Sequence, residues 1–177
     1  MRWSRLPFAA VLLALVWAGV ARAETEVDVA LVLAVDVSRS MDPDEQDLQR
    51  DGFVEAFRSS GVHEAIAKGA LGRIAVTYFE WSGASQQVLV TPWTVIDGPA
   101  AAASFADRLR AAPISRFFST SISGALDYGV KLFDGNGIDA IRRVIDVSGD
   151  GPNNDGRVVT LARDAALAEG VVVNGLP

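Results

Sequence analysis

The stretch from Val27 to Met41, VDVALVLAVDVSRSM, constrains this chain more than any other. Its first part is an apolar run rich in Val and Leu. Such a run predicts a strand over 29–35, buried on both faces of a parallel sheet. The run stops at Asp36, and Ser38 and Ser40 follow at alternate positions. In an open α/β sheet, ligands bind beyond the carboxyl ends of the strands. A carboxylate and two hydroxyls at such an end make a cup of hard oxygen donors. That donor set suits Mg²⁺, Mn²⁺ or Ca²⁺ rather than zinc or copper. Asp36, Ser38 and Ser40 are therefore expected to hold a divalent cation.

The rest of the chain alternates helices with strands. Asp42-Pro43-Asp44-Glu45 is a helix start. Asp42 caps, Pro43 takes the first helical position, and Glu45 reaches back in a capping box. Leu48, Gly52, Phe53, Ala56 and Phe57 recur at helical spacing and predict the inner face. Ser59-Ser60-Gly61 ends this helix, and a short second helix over 62–68 is closed by Gly69. A strand over 73–81, a turn at 82–85 and a strand over 87–90, ended by Pro92, predict an antiparallel hairpin. A helix starts at Asp97-Gly98-Pro99, turns Phe105 and Leu109 inward, and stops at Ala112-Pro113. A loop over 114–119 then leads to a helix over 120–133 and a strand over 141–147. A turn-rich loop over 148–154, a helix over 157–169 and a strand over 171–173 complete the pattern.

This order predicts an α/β domain over 24–177. Its sheet is doubly wound and mostly parallel, with one antiparallel edge strand. No closing helix follows the last strand, so a final strand and helix are expected to be missing.

Residues 1–23 are expected to be a secretory signal peptide. Arg2 and Arg5 precede an apolar run from Phe8 to Val20, and Ala21-Arg22-Ala23 offers a cleavage site. The run is short for a membrane span of roughly 20 residues. Cleavage after Ala23 removes three Arg and no acid, so the net charge moves from −6 to −9. An acidic domain of this kind is a poor match for nucleic acid or an anionic membrane. Cysteine is absent, so disulfides and a lipid-anchored cysteine are excluded. The expected location is periplasmic or secreted, with no membrane insertion after cleavage.

Three loops at strand or helix edges carry the candidate chemistry. The first offers Asp36, Ser38 and Ser40. The second offers Ser119, Thr120 and Ser121. The third offers Asp150, with Asn153 and Asn154 beyond it. Plainer roles exist for each. Asp36 can be a helix cap or a buried carboxylate satisfied by backbone N–H groups. Ser119–Ser123 can be a helix-capping cluster, and the segment 150–154 can be only a turn. His63 is the single histidine and is expected to be exposed, which argues against a Ser-His-Asp nucleophile. Trp81, Trp93 and Tyr78 read as packing residues. Phe117-Phe118 either packs beneath the second loop or stands exposed as an anchor for a partner.

Asp36-Val37-Ser38-Arg39-Ser40 resembles the metal-ion-dependent adhesion motif of von Willebrand factor A domains. Thr120–Leu126 is similar to that family's second metal loop, and Val144–Gly151 to its third. The resemblance covers nearly all of 27–175. The segments Val35–Asp44, Ala75–Trp81 and Val144–Asn154 most resemble a family of uncharacterised bacterial secreted proteins with this fold. It implies that Ser38, Ser40 and Thr120 are direct ligands and that Asp36 and Asp150 act mainly through water. The family's usual Thr-Asp-Gly is replaced here by Ser148-Gly149-Asp150-Gly151. Asp150 is favoured over Asp146, which sits inside the strand run.

The resemblance further implies a Rossmann-like fold and a non-enzymatic, metal-dependent module that binds an acidic residue of a protein or peptide. The alternative is a Mg²⁺-dependent phosphoryl-transfer hydrolase with Asp36 as nucleophile. It lacks a Lys in any of the three loops. A structural domain with a vacant metal site is a third possibility.

Overall fold

The structure is a computed structural model that describes residues 24–39 and 41–176. The expected leader and Ser40 lie outside the described residues. Ten elements follow in order. They are β1 (Thr25–Asp36), α1 (Pro43–Arg58), α2 (Ser60–Ala67), β2 (Ile74–Trp81), β3 (Gln87–Ile96), α3 (Pro99–Ala111), α4 (Ile122–Lys131), β4 (Ile138–Ser148), α5 (Val159–Ala168) and β5 (Val171–Leu176). They build one five-stranded sheet in the order β3-β2-β1-β4-β5. β1 pairs in parallel with β2 and β4, β4 pairs in parallel with β5, and β2 and β3 form the expected antiparallel hairpin.

β1 is the middle strand and is buried on both faces. Leu33 and Val35 pack with Val76, Tyr78, α1 (Val54, Phe57) and α3 (Phe105, Leu109). Ala30, Val32 and Ala34 pack with Phe79, Trp81, α4 (Ala125, Leu126) and α5 (Ala162, Ala166). The alternation follows from the period of two along a strand. Each fully buried Val, Leu or Phe contributes ~1.5–3 kcal/mol of transfer free energy. The connection leaving β1 goes to the α1 face, whereas the one leaving β4 goes to the α5 face. The chain therefore opens a crevice between the C-terminal ends of β1 and β4, where the strand order switches.

The predicted start of α1 is present in full. Asp42 accepts from the Glu45 N–H at 2.9 Å, and the Glu45 side chain accepts from the Asp42 N–H. Its inner face differs from the expectation. Gln46, Arg50, Val54 and Phe57 are buried, Gly52 and Ala56 are exposed, and Leu48 is 74% exposed. The cause is a buried ion pair. Arg50 joins Glu80 of β2 and donates to the carbonyls of Leu109 (2.8 Å) and Ala112 (3.1 Å). Glu80 Oε2 accepts from the Ser115 N–H at 2.8 Å. Apolar spacing cannot reveal a helix face built around a guanidinium.

Other boundaries move as well. β1 starts at Thr25 rather than at 29, β4 at Ile138 rather than at 141, and β5 runs on to Leu176 rather than ending at 173. β3 does not end at Pro92 but runs on to Ile96. Its register against β2 shifts twice, between Val76 and Tyr78 and between Tyr78 and Phe79, so the proline falls within an irregular edge strand. α4 starts at Ile122 rather than at 120, because Ser121 is its cap. His63 is only partly exposed, with Nε2 2.7 Å from the Phe57 carbonyl. Tyr78 and Trp81 are buried and Trp93 is partly buried, as packing residues should be. Among the described residues no helix is long and apolar enough to cross a membrane.

The Arg50–Glu80 pair generates a prediction. Arg50→Met or Glu80→Met alone should lower unfolding free energy by about 3–5 kcal/mol, since each strands a buried polar partner. Arg50→Met combined with Glu80→Met should cost clearly less than the two single changes added together, as read by urea unfolding.

Candidate metal centre

Asp36 is the last residue of β1, paired in register with Trp81 of β2. On the other side Val35 pairs with Ser148, so the third loop leaves β4 directly beside Asp36. Asp36 is wholly buried. Its Oδ1 accepts from the Ser38 N–H at 2.7 Å. Its Oδ2 has no hydrogen-bond partner among the described residues. The Trp81 indole N–H, in register beside it, is buried and unpartnered as well.

Burial raises the Asp36 pKa. The bonds from Ser38 oppose the rise, and the charge of Asp150 adds to it. A carboxylate held like this lacks a counter-charge, and a buried charge without one is costly.

The third loop is shaped to pass this carboxylate closely. A Cβ on Gly149 would sit 3.0 Å from Asp36 Oδ2 and 3.1 Å from the Trp81 ring, so a side chain there meets both. Asp150 follows, exposed at the loop surface and close enough to act electrostatically on Asp36. Asp146 is placed differently. It pairs in register with Leu33, on the α1 face of the sheet, and its carboxylate accepts from Asn174 Nδ2 at 2.7 Å. Of the two aspartates, Asp150 is the one whose charge acts on Asp36.

The second loop joins the other two. The Phe117 N–H donates to the Val37 carbonyl, in a bridge that sets Phe117 beside Ser38. Ser82, in the β2–β3 turn, holds this loop from below. Its hydroxyl lies 2.8 Å from the Phe118 carbonyl and 2.5 Å from that of Ser119, and its own carbonyl accepts from the Ser121 N–H at 2.7 Å. Ser119 takes a left-handed backbone (φ 70°), unusual for a residue with a side chain. The turn exposes Phe118 and buries Thr120. The helix-capping role goes to Ser121, whose hydroxyl accepts from the Gly124 N–H at 3.1 Å. Thr120 is not used as the cap.

Asn153 and Asn154 are more than turn formers. Asn154 Oδ1 accepts from the Thr120 N–H at 2.8 Å, and the Asn154 N–H donates back to the Thr120 carbonyl at 2.9 Å. Asn153 Oδ1 accepts from the Ser123 N–H at 3.1 Å. Ser121 Oγ donates to the Asp155 carbonyl at 2.9 Å. Gly151 passes Thr120 Oγ1, since its Cβ would lie 3.7 Å away.

Asp36, Ser38, Thr120 and Asp150 are thus carried by three mutually bonded loops at one end of the sheet, and Ser40 is not among the described residues. Ser82, Asn153, Asn154 and Asp155 position the second loop; of these, sequence pattern offered Asn153 and Asn154 as candidates beside a turn reading, read Ser82 as a turn and did not single out Asp155. Among the described residues no group of three or more His, Cys, Asp or Glu is placed to hold a metal. A cation here would rest on hydroxyls and water as much as on carboxylates, the donor set of a hard ion.

Asn154→Ala should leave the Thr120 N–H without its acceptor. We expect a loss of about 1–2 kcal/mol in chemical denaturation, with faster amide exchange at Thr120 as the local signature.

The fold is similar to solved structures of low sequence identity. Proximal thread matrix protein 1 from the mussel byssus matches with a TM-score of 0.63 at 17% identity, over 86% of this chain and 38% of that one. A second structure of that protein, with its MIDAS motif occupied by zinc, matches with a TM-score of 0.60 at 17% identity, over 86% and 38%. An aerotolerance-related membrane protein from Bacteroides fragilis matches with a TM-score of 0.53 at 18% identity, over 85% of this chain and 66% of that one. This chain therefore spans well under half of the mussel protein's length. No curated protein sequence matches it. The architecture is von Willebrand factor A-like. Residues 26–177 match the family model described as "Protein of unknown function (DUF1194)", and the chain belongs to that family.

Proposed function

We propose that this protein is a metal-dependent protein-binding module. Asp36, Ser38, Ser40, Thr120 and Asp150 hold a divalent cation, Mg²⁺ first, with Mn²⁺ or Ca²⁺ as alternatives. Ser38, Ser40 and Thr120 bind it directly, while Asp36 and Asp150 act mainly through water. The cation engages a carboxylate of a protein or peptide partner, and no bond is broken. The module works in the periplasm or outside the cell, after the leader 1–23 is removed.

One observation carries this reading. Asp36 Oδ2 is sealed from solvent at a strand end without a donor among the described residues, beside Ser38 and within reach of the charge of Asp150. A divalent cation in the crevice supplies positive charge beside both aspartates. The zinc-filled MIDAS motif of the mussel protein supports a divalent cation in a fold of this kind without selecting Mg²⁺.

Thermal unfolding tests the site. A cation that binds only the folded state, at a hundred times its Kd, adds about 2.7 kcal/mol, a rise of roughly 5–10 °C for a domain this size. We expect that rise over EDTA with Mg²⁺ or Mn²⁺, and its loss in Ser38→Ala. An unchanged midpoint in the parent under every cation would count against the assignment.

A second prediction concerns the cation-free protein. The folded-state pKa of Asp36 is raised, so the folded state binds this proton more tightly than the unfolded state does. Ionising Asp36 at neutral pH therefore costs stability, which returns as pH falls through the folded pKa. In EDTA, Asp36→Asn should raise the midpoint at neutral pH, and the gain should fade in acid. The same variant should show no response to added cation.

A further inference from the structure

Two arginines border the crevice without acidic partners. Arg39 lies between Ser38 and Ser40, and Arg116 lies one residue before Phe117. Both are exposed, and neither forms an ion pair with a described residue. Arg39 has one organised contact, its Cζ standing 3.8 Å from the centroid of the Phe118 ring. Phe118 is 60% exposed, yet its backbone is fixed by the hydroxyl of Ser82. An exposed ring on a fixed backbone is a platform. A guanidinium laid over a ring uses its face and leaves its edge N–H donors free, in the fork geometry that matches a carboxylate. Arg116 reaches the first loop from the second. Its Nη2 is 3.5 Å from the Met41 carbonyl, and the Met41 N–H donates to the Ser38 carbonyl.

We propose that Arg39, held on Phe118, and Arg116 form a second anion contact beside the cation, and that the partner is an extended segment with two acidic residues close together. One carboxylate completes the cation shell and the other is forked by the guanidiniums. The proposal rests on the cation–carboxylate reading above. Charge complementarity supports it. The chain carries a formal net charge of −6, so acidic partners are repelled in general. Here Arg39 is next in sequence to Ser38 and Arg116 reaches the Met41 carbonyl of the same loop, neither of them paired with a described acid, beside a cup that a divalent ion renders neutral. Acidic residues two apart in an extended peptide project from the same side, about 7 Å from each other, a span suited to a cup and the arginine next to it.

The test uses two acetylated, amidated pentapeptides, one with a single Glu among Gly and one with Glu-Gly-Glu. Each is titrated into the full chain in Mg²⁺ and in EDTA, and arginine Nε–H resonances are followed by NMR. In Mg²⁺ the two-acid peptide should bind about tenfold more tightly than the single-acid one, as expected for a charge-assisted fork. It should also shift the Arg39 resonance. Arg39→Gln should erase the preference and Arg39→Lys should keep only part of it, with the Mg²⁺-dependent midpoint retained in both as the folding control. Phe118→Ala should weaken the preference by freeing the guanidinium.

Equal binding of the two peptides in Mg²⁺, no binding of the two-acid peptide, or a preference that survives Arg39→Gln overturns the proposal. A preference that needs Arg39 but is identical in EDTA upholds the arginine contact and removes the cation from the reading. Mg²⁺-dependent binding without the preference does the reverse.

Discussion

A carboxylate oxygen sealed at the end of the central strand, with no hydrogen-bond donor among the described residues, is the constraint on which this end of the molecule depends. Burial of a charge disfavours the folded state unless something nearby compensates. Here the surroundings add to the burden, because Asp150 presents a second negative charge to the same carboxylate. Two acids meet here at a strand switch point, and one of their oxygens has no partner among the described residues, which is the charge imbalance that the proposed cation would relieve. The parallel β1–β4 pairing enforces this. It delivers Ser148, and then Gly149 and Asp150, to the end of the strand that carries Asp36.

The loops around that carboxylate hold one another more than they hold the sheet. The first and second are joined through Val37 and Phe117, the second and third through Thr120 and Asn154. Ser82 fixes the second loop to the hairpin turn, and Glu80 fixes the segment just before it through the Ser115 N–H. Because Glu80 is paired with Arg50, the base of the second loop is set by a buried ion pair between α1 and β2. Thr120 thus receives its position from four directions. Organisation of this kind lowers the cost of assembling an oxygen cup when a ligand arrives.

Much of the fold was legible in the sequence because its signals are local. The apolar run of β1, the Asp42–Glu45 capping box and the turns that divide strands from helices each act over a few residues. The antiparallel hairpin followed from the short link at 82–86. The inner face of α1 was not legible, because Arg50 is buried only by virtue of Glu80, thirty positions away. β3 was cut short at Pro92 because a proline that ends a central strand is tolerated in a bulged edge strand, and edge position is a property of the whole sheet. At the candidate site, the residues that carry chemistry stood out as a spaced set of oxygens. Those that position them stood out less, Asn154 only as a candidate beyond Asp150 and Ser82 only as part of a turn. Asn154 and Ser82 act through backbone partners more than thirty residues off, and to a local reading they are turn formers.

The sheet's two margins are unlike. β3 carries Pro92, which has no N–H to offer, and two shifts of register that break its hydrogen-bonding rhythm. β5 is regular, carries no charged residue and continues the parallel order of β1 and β4. A strand that joins this sheet, from the same chain or another, therefore has one margin fit to receive it. Growth of the fold is directional, away from the hairpin and on the side of β4, the strand that delivers Asp150.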